Sequence, residues 1–192
     1  MNKISLIVGL GNPGNEYAQT RHNAGFWYIE RLADRYNISL KNDSKYNAIT
    51  GRGSIEGQDV RLLLPLTYMN RSGQSVVPFA KFYQIPTSQI LIAHDELDMN
   101  PGVIRLKNGG GHGGHNGLKD IVPHIGADFL RLRIGIGHPG SKERVSGHVL
   151  GKAPSSEQSL MDQAIDHALQ HSKALINGDT AQAMNAINAF KV

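Results

Sequence analysis

Two short, continuously apolar segments stand out in the chain. Ile4 to Val8 is rich in β-branched residues and ends at Gly9, and Ile90 to Ala93 has the same character and leads into a polar run. Unbroken apolar runs of this length are typical of strands buried on both faces of a sheet. The two segments are therefore predicted to be central strands of an α/β fold.

Other stretches alternate between apolar and polar positions. Between Val103 and Lys107 every second residue is apolar, so this strand should be half-exposed. The stretch from Leu130 to Gly137 alternates in the same way. Residues 46–54 and 60–64 are predicted to be two strands around a glycine turn.

Helical periodicity separates these strands. The predicted helices begin at or near Phe26, Val76, Leu118, Ser155 and Thr180. The fourth is expected to be long and to end near Gly178. We therefore expect an α/β fold: a single globular domain over residues 1–192, a twisted mixed β-sheet with helices on both faces, and a helical C-terminal part over residues 155–192.

Gly9, Gly11 and Gly14 match the G-x-G-x-x-G fingerprint of dinucleotide-binding folds. In a true fingerprint a helix opens on the last glycines, so that its N-terminus can hold the pyrophosphate. Here residues 15–21 show no apolar stripe, and no acidic residue closes a second strand about twenty positions further on. The pattern is interpreted as a polar turn, and no dinucleotide is expected to bind.

The composition narrows the class of protein. A chain of 192 residues that is 40% hydrophobic can bury the core of one compact domain. The absence of cysteine excludes disulfides, thiolate metal sites and a cysteine nucleophile, and it fits a reducing compartment. No signal peptide precedes Ile4 and no apolar run approaches about 20 residues, so a soluble, cytoplasmic protein is expected.

Charge is distributed unevenly along the chain. Residues 103–152 contain eight Lys or Arg and three Asp or Glu, a balance of +5, so the rest of the chain carries −1 of the total of +4. A basic region beside a neutral one is typical of proteins that bind a polyanion, although an ordinary solvated basic surface would look the same.

Polar residues follow the predicted strands or open the predicted helices at several places. They are Asn12, His22, Asn70, Asp95 and Asn116. Groups on such loops converge at one edge of an α/β sheet. A histidine can take a proton from water near neutral pH, a carboxylate can fix its tautomer, and asparagines can stabilise an oxyanion or hold an amide. The sequence thus indicates activation of water, or binding.

Each of these residues also has a structural interpretation. Asn12 could form a turn before proline, and His22 and Asn70 could cap helices. Asp95 could be a solvated loop acid. It could also bind a metal together with His94, although the ligand spacing is not diagnostic.

The segment from Asn108 to Gly117, here called the glycine segment, is the compositional oddity of the chain, since six of its last nine residues are glycine. It could be a flexible linker. A predicted strand before it and a predicted helix after it favour a backbone cradle or a mobile gate instead.

Six motifs, in register, resemble those of the bacterial peptidyl-tRNA hydrolase family. They lie at Gly9–Gly14 with Tyr17, Thr20–Gly25, Pro65–Gly73, His94–Asp98, Gly109–Gly117 and Arg131–Gly140. The resemblance covers about residues 5–152, and the helical tail is less specific. It implies an enzyme that hydrolyses the ester bond between a peptide and the 3′ ribose of tRNA, releasing free tRNA and peptide.

The resemblance also implies roles for individual residues. His22 would be the general base that activates water, and Asp95 the carboxylate that orients it. The residues implied to contact the substrate are Asn12, Tyr17, Tyr68, Asn70 and Asn116. Lys107, Arg133 and Lys142 would hold tRNA phosphates at the acceptor stem and 3′ end.

Residues 108–117 and 138–151 are expected to form gate or lid segments over the site. The resemblance implies no metal and no cofactor, and we expect a monomer without membrane attachment. The main alternative is a non-catalytic RNA-binding protein on the same fold, against which the presence of both His22 and Asp95 argues.

Overall fold

Seven strands form one mixed sheet in residues 3–191, the part of the chain that the computed structural model describes; the predicted domain bounds at residues 1 and 192 lie outside it. The strands are β1 Leu6–Gly9, β2 Lys41–Asp43, β3 Ala48–Ile55, β4 Gln58–Pro65, β5 Ile90–Glu96, β6 Ile104–Asn108 and β7 Leu130–Gly135. Their order across the sheet is β2-β3-β4-β1-β5-β7-β6.

The sheet combines parallel and antiparallel pairs. β1 is parallel to β4 and to β5, and β5 is parallel to β7. β3 is antiparallel to its two neighbours, and β6 is antiparallel to β7. The central position of β1 and β5 confirms the prediction from their apolar runs, since all four residues of β1 and the first six of β5 are buried.

Helices cover the sheet on both sides, as predicted. They are α1 Ala24–Arg35, α2 Gly73–Phe82, α3 Asn116–Ile125, α4 Val145–Val149, α5 Ser155–Gln170, α6 Ser172–Ile176 and α7 Thr180–Asn188. Side chains from α1, α5, α6 and α7 share one core cluster with Ile7 of β1, whereas α2 and α3 share the other with Leu6 and Val8. This division follows from the alternation of side chains along a strand.

The long helix predicted from Ser155 to Gly178 is interrupted, so that part of the prediction was wrong. The break falls at His171, between α5 and α6, where φ is −107° and ψ is 23°. The buried hydroxyl of Ser172 donates to the Leu169 carbonyl at 2.7 Å, a local bond that competes with regular helical bonding. The apolar period continues through the break, which is why the sequence does not reveal it.

Within residues 3–191, no helix combines the length and the apolar character required to cross a bilayer.

Candidate active site

A cleft of about 830 Å³ lies at the carboxyl ends of β1, β4 and β5. Its walls include eight of the ten residues for which the sequence implied a role: Asn12, Tyr17, His22, Tyr68, Asn70, Asp95, Asn116 and Lys142. Lys107 and Arg133 are not among the lining residues. The structure therefore brings the histidine, the carboxylate and the asparagines together at one edge of the sheet, where ligands of α/β folds bind.

Two glycines allow the first helix to approach this edge closely. A Cβ atom on Gly25, in α1, would collide with the backbone carbonyl of Ala93 in β5, and one on Gly9 would collide with the carbonyl of Gly25. The short 3₁₀ helix Arg21–Asn23 immediately before α1 is consequently held against β5. α1 begins at Ala24, ten positions after Gly14, so the glycine fingerprint does not open a helix.

His22 and Asp95 form the centre of the site. Nδ1 of His22 lies 2.8 Å from Oδ2 of Asp95, and both side chains are buried. Because the carboxylate accepts at Nδ1, the lone pair of the neutral imidazole is on Nε2. Nε2 makes no hydrogen bond within residues 3–191. His22 lies on the wall of the cleft, so this geometry is suited to a general base.

His115, to which the sequence reasoning gave no role, completes the arrangement. Its Nε2 lies 2.8 Å from Oδ1 of Asp95. Its Nδ1 accepts the backbone N–H groups of Gly117 and Leu118, at 3.1 and 3.4 Å, as the cap of α3. Nδ1 therefore carries no proton, and Nε2–H donates to the carboxylate. The sequence provided little signal for this role, because the helix was predicted to begin near Leu118, three positions later, and histidine is not among the preferred cap residues.

Burial and charge shift the pKa values of Asp95 and His22 in opposite directions. Burial would raise the pKa of Asp95, but His22 and His115 hold it well below its usual range. Burial alone would lower the pKa of His22, yet the charge and hydrogen bond of Asp95 raise it above the ordinary value of 6.5. Asp95 is thus ionised, and its charge makes His22 a stronger base.

His94 is buried and is not among the residues that line the cleft. Its Nδ1 is 2.8 Å from the Asp95 carbonyl oxygen, and its buried Nε2 has no partner in the described chain. Burial is the largest cause that lowers the pKa of His94, to about 3, so the ring is neutral.

The metal alternative that joined His94 to Asp95 does not match the cluster that the fold creates. In residues 3–191 the group with metal-ligand potential is His22, Asp95 and His115, whose candidate ligand atoms lie within 4.8 Å of one another. A metal on Nε2 of His115 would require a proton on Nδ1, where two backbone N–H groups already point. The donor set therefore fits hydrogen bonding better than metal coordination.

Asn12 is fixed through its backbone, and its side chain faces the cleft. The Asn23 carboxamide accepts the Asn12 N–H at 2.8 Å and donates to the Asn12 carbonyl at 3.0 Å. Oδ1 of Asn12 accepts the Met69 N–H at 2.7 Å. Its Nδ2 group makes no bond within residues 3–191, nor do the exposed carboxamides of Asn70 and Asn116. Asn70 does not cap the following helix, which was its structural alternative, because the N-cap residue of α2 is Ser72.

Two tyrosines form part of the cleft wall. The rings of Tyr17 and Tyr68 pack edge to face with centroids 6.3 Å apart. Tyr68 is 52% exposed and has φ 61° and ψ 152°, a backbone conformation that is strained for any residue except glycine. Such strain is concentrated at functional sites and indicates that the position of this ring matters.

The predicted phosphate-binding cations lie in two places, one on the wall of the cleft and two on the adjacent strands β6 and β7. Lys142 lines the cleft and is exposed. Arg133 in β7 is paired with Arg105 in β6, and Lys107 is paired with Arg131. Directly paired residues of an antiparallel ladder point to the same face, so four cations lie on one face at this edge of the sheet. Arg133 also contacts Glu96 of the cleft at 3.1 Å.

The fold and the site together define an α/β protein in which a histidine and a carboxylate meet on the wall of a substrate-sized cleft, an arrangement suited to hydrolysis. A family model described as peptidyl-tRNA hydrolase matches residues 6–192. The peptidyl-tRNA hydrolase of Acinetobacter baumannii (strain AYE) is 80% identical over 191 residues, which cover 100% of this chain and 99% of the relative. That of Psychrobacter arcticus is 60% identical over 189 residues, or 98% of each chain.

A crystal structure of peptidyl-tRNA hydrolase from Acinetobacter baumannii superimposes with a TM-score of 0.98 at 79% identity, covering 100% of this chain and 97% of that one. The chain belongs to the peptidyl-tRNA hydrolase family, as its motifs predicted. It is an enzyme that hydrolyses peptidyl-tRNA, and the alternative of a non-catalytic RNA-binding protein is not favoured.

Proposed function

We propose that this enzyme cleaves the peptidyl ester with a water molecule activated at Nε2 of His22. The proposal rests on the hydrogen bonds that the Asp95 carboxylate accepts, one from each of two histidines. His115 Nε2–H donates to Oδ1, and His22 Nδ1–H donates to Oδ2, both at 2.8 Å. Both carboxylate oxygens are thus engaged, and the proton-accepting nitrogen of His22 is the one left for chemistry.

In the proposed reaction, the water oxygen bonds to the ester carbonyl carbon while its proton passes to Nε2 of His22. The tetrahedral intermediate then expels the 3′ oxygen of the terminal ribose, which receives a proton from the His22 imidazolium. The products are a peptide with a free carboxyl group and a free tRNA. The ionised Asp95 stabilises the imidazolium between the two steps.

The asparagines supply the amide groups that this reaction requires. The Nδ2 groups of Asn12, Asn70 and Asn116 are available to donate to the developing oxyanion, to the peptide backbone, or to the attacking water. Tyr17 and Tyr68 would form an apolar wall for the end of the substrate. An aminoacyl ester is already a reactive acyl group, so positioning and oxyanion stabilisation suffice without a covalent nucleophile.

Lys107, Arg133 and Lys142 would hold phosphates of the acceptor stem and 3′ end. Arg105 lies on the same face of the sheet as Arg133, but its Nη1 donates to the carbonyls of Ile104 and Asn188, at 3.1 and 2.8 Å. Phosphate contacts position a substrate without reading its sequence, which suits an enzyme that accepts many tRNAs.

Residues 108–117 and 138–151 would act as gate and lid over the cleft. Gly113 and Gly114 from the first segment, and Lys142, Val145 and Leu150 from the second, contribute to its wall.

The proposal includes that the enzyme is a monomer and that it acts in the cytoplasm. Among the described residues the exposed large hydrophobic side chains are Tyr68, Phe82 and Leu150, of which two line the cleft rather than a separate contact surface. The cytoplasmic location follows from the substrate, since peptidyl-tRNA arises during translation.

The test compares wild type, His22→Ala and His124→Ala, the last replacing an exposed histidine outside the cleft. Each is treated with EDTA and incubated with N-acetyl-aminoacyl-tRNA, and release of the blocked amino acid is followed. His22→Ala should lose about 10³-fold in kcat, within the usual range for a general base, and His124→Ala should match wild type. Cleavage by His22→Ala at the normal rate would overturn the assignment.

The inactive His22→Ala chain also serves to measure tRNA affinity. Adding Lys107→Ala and Arg133→Ala to it should weaken binding and lower the salt dependence by about one unit of slope for each cation removed. An unchanged slope would remove these two residues from the phosphate-binding set.

A further inference from the structure

Arg131, which precedes Arg133 by two positions in β7, is buried under the glycine segment. Its side chain is 2% exposed, unlike those of the neighbouring cations. Nη1 donates to the carbonyl of Gly111, and Nη2 donates to the carbonyls of Gly110 and Ala127. The guanidinium carbon lies 4.4 Å from the centre of the Phe129 ring. One planar group thus links three backbone carbonyls to the sheet.

No carboxylate of residues 3–191 forms an ion pair with Arg131. Burying a cation without a counter-ion is costly, and here the carbonyl dipoles of the glycine segment supply the compensation. An apolar side chain of similar length could fill this space without that cost. The presence of a guanidinium at this position is therefore better explained by the backbone carbonyls that it binds than by the space that it fills.

The glycine segment has few means of holding its own conformation. Gly109, Gly110, Gly113 and Gly114 have φ values of 72°, 107°, 58° and 81°, and glycine loses more conformational freedom on ordering than any other residue. Between Gly109 and Gly114 the one internal bond among the described residues is from the Gly114 N–H to Nδ1 of His112, at 2.9 Å, and the His115 N–H donates to the His112 carbonyl, also at 2.9 Å. Towards the sheet, the segment has the Gly109 N–H bond to the Phe129 carbonyl, at 3.0 Å, and the fork of Arg131.

The position of this segment matters to the site. It contains His115, which caps α3 and donates to Asp95 at 2.8 Å. Gly113 and Gly114 form part of the cleft wall. A displacement of Gly110 and Gly111 would be transmitted over four residues to the group that orients the catalytic carboxylate.

We propose that Arg131 is a positioning residue of the reaction, whose guanidinium fixes the glycine segment so that His115 and the cleft wall are set for catalysis. The inference rests on the proposed function, because Arg131 would influence turnover through the hydrogen bonds that connect His115, Asp95 and His22. It separates the two arginines of the strand: Arg133 is proposed to contact tRNA phosphates, and Arg131 holds the glycine segment.

The competing role for Arg131 is a fourth phosphate contact beside Lys107, Arg133 and Lys142. Its burial and its engagement with three carbonyls argue against that role. The two roles predict different kinetics, since a phosphate contact contributes to tRNA binding and a positioning contact contributes to turnover.

The experiment uses Arg131→Met, which keeps length without charge, Arg131→Lys, which keeps charge without the fork, and Arg52→Met as a control. Arg52 is an exposed strand arginine paired with Asp59, outside the cleft. The measurements are kcat and KM on N-acetyl-aminoacyl-tRNA, the thermal midpoint, and hydrogen exchange of the amides of residues 109–115.

For Arg131→Met we expect kcat to fall about 100-fold, the effect of a small misplacement at the site, with KM little changed. Exchange should accelerate in residues 109–115, and Arg131→Lys should retain more of kcat because its ammonium still holds a carbonyl. Arg52→Met should resemble wild type. If Arg131→Met does not fold, Arg131→Lys must show the same pattern to a smaller degree.

Three outcomes would overturn the proposal. A raised KM with unchanged kcat would make Arg131 a phosphate ligand. A lower thermal midpoint with normal kcat would make it a stabilising residue only. Unchanged exchange in residues 109–115 would remove the link to the glycine segment, and this readout does not depend on chemistry. Activity retained by His22→Ala would instead refute the proposed mechanism while leaving the exchange result interpretable.

Discussion

The loop after β1 and the glycine segment both support the proposed catalytic centre, but they are held in different ways. The first loop contains Asn12, whose N–H and C=O groups are both bound by the carboxamide of Asn23. In the glycine segment, the carbonyls of Gly110 and Gly111 are bound by Arg131, which lies in the sheet. The first loop is therefore fixed by a side chain 11 positions away, whereas this part of the glycine segment is fixed by a side chain of another element, 20 or 21 positions away.

The two loops meet at Asp95. Immediately after the first loop, His22 contacts Oδ2, and at the end of the second, His115 contacts Oδ1. The position of the carboxylate therefore depends on both loops. Substitutions of Asp95, of Asn23 and of Tyr68 should affect activity and stability to different degrees, largest for Asp95 and smallest for Tyr68.

The largest effect is expected for Asp95→Asn. An amide donates where the carboxylate accepts, so His22 would lose its charge partner and its fixed tautomer, and kcat should fall about 10⁴-fold. In wild type His22 must be neutral, so activity should rise as pH increases through a pKa above 6.5. Without Asp95, burial is the main remaining influence and lowers the His22 pKa.

The acid limb of the residual activity of Asp95→Asn should therefore move below pH 6.5, which a pH profile of kcat measures directly. A profile with the wild-type midpoint would show that the titrating group is not His22.

A smaller effect is expected for Asn23→Ala, which releases only the first loop. Two buried backbone groups of Asn12 would lose their partners, so the free energy of unfolding should fall by about 2 kcal/mol. Turnover should fall about tenfold as Asn12 shifts. Chemical denaturation and steady-state kinetics provide the two values.

Asn15→Ala, at an exposed position in the same loop, is the matched control and should be neutral. Amide exchange in residues 109–115 should remain normal in Asn23→Ala, in contrast to Arg131→Met. Equal acceleration in both variants would mean that the loops are not held independently.

The smallest effect concerns the strained residue next to the first loop. Tyr68→Ala and Tyr68→Gly both remove the ring, but only glycine adopts φ near 61° without strain. The glycine variant should be more stable than the alanine variant by about 1 kcal/mol, while both have similarly reduced activity. Thermal denaturation of the pair tests this, and an alanine variant of equal or greater stability would show that the backbone is not strained.

Several features of the fold and site were predictable because they depend on local pattern. The apolar runs of β1 and β5 predicted buried central strands, and the polar residues at their carboxyl ends, Asn12 and Asp95, were predicted to converge. The late start of the apolar period at Phe26 indicated that no helix opens on the first glycines, and α1 begins at Ala24. Resemblance to a family added the individual roles, which remain proposals.

Other features depend on contacts between distant residues and were invisible in the sequence. His115 meets Asp95 across 20 positions, and His22 meets it across 73. Arg131 and Arg133 occupy equivalent positions of an alternating strand, so periodicity treats them alike. Because the glycine segment folds over Arg131, that residue is buried, whereas Arg133 is half-buried and paired with Glu96.

The sequence by itself determined the class of fold, the edge at which the polar residues gather, and the family to which the chain belongs. The tertiary structure decided which nitrogen of each histidine carries a proton, because that depends on the partners of both ring nitrogens. It also decided which arginine is buried. These properties arise from the desolvation and pairing of polar groups, which exist only once remote parts of the chain are packed together.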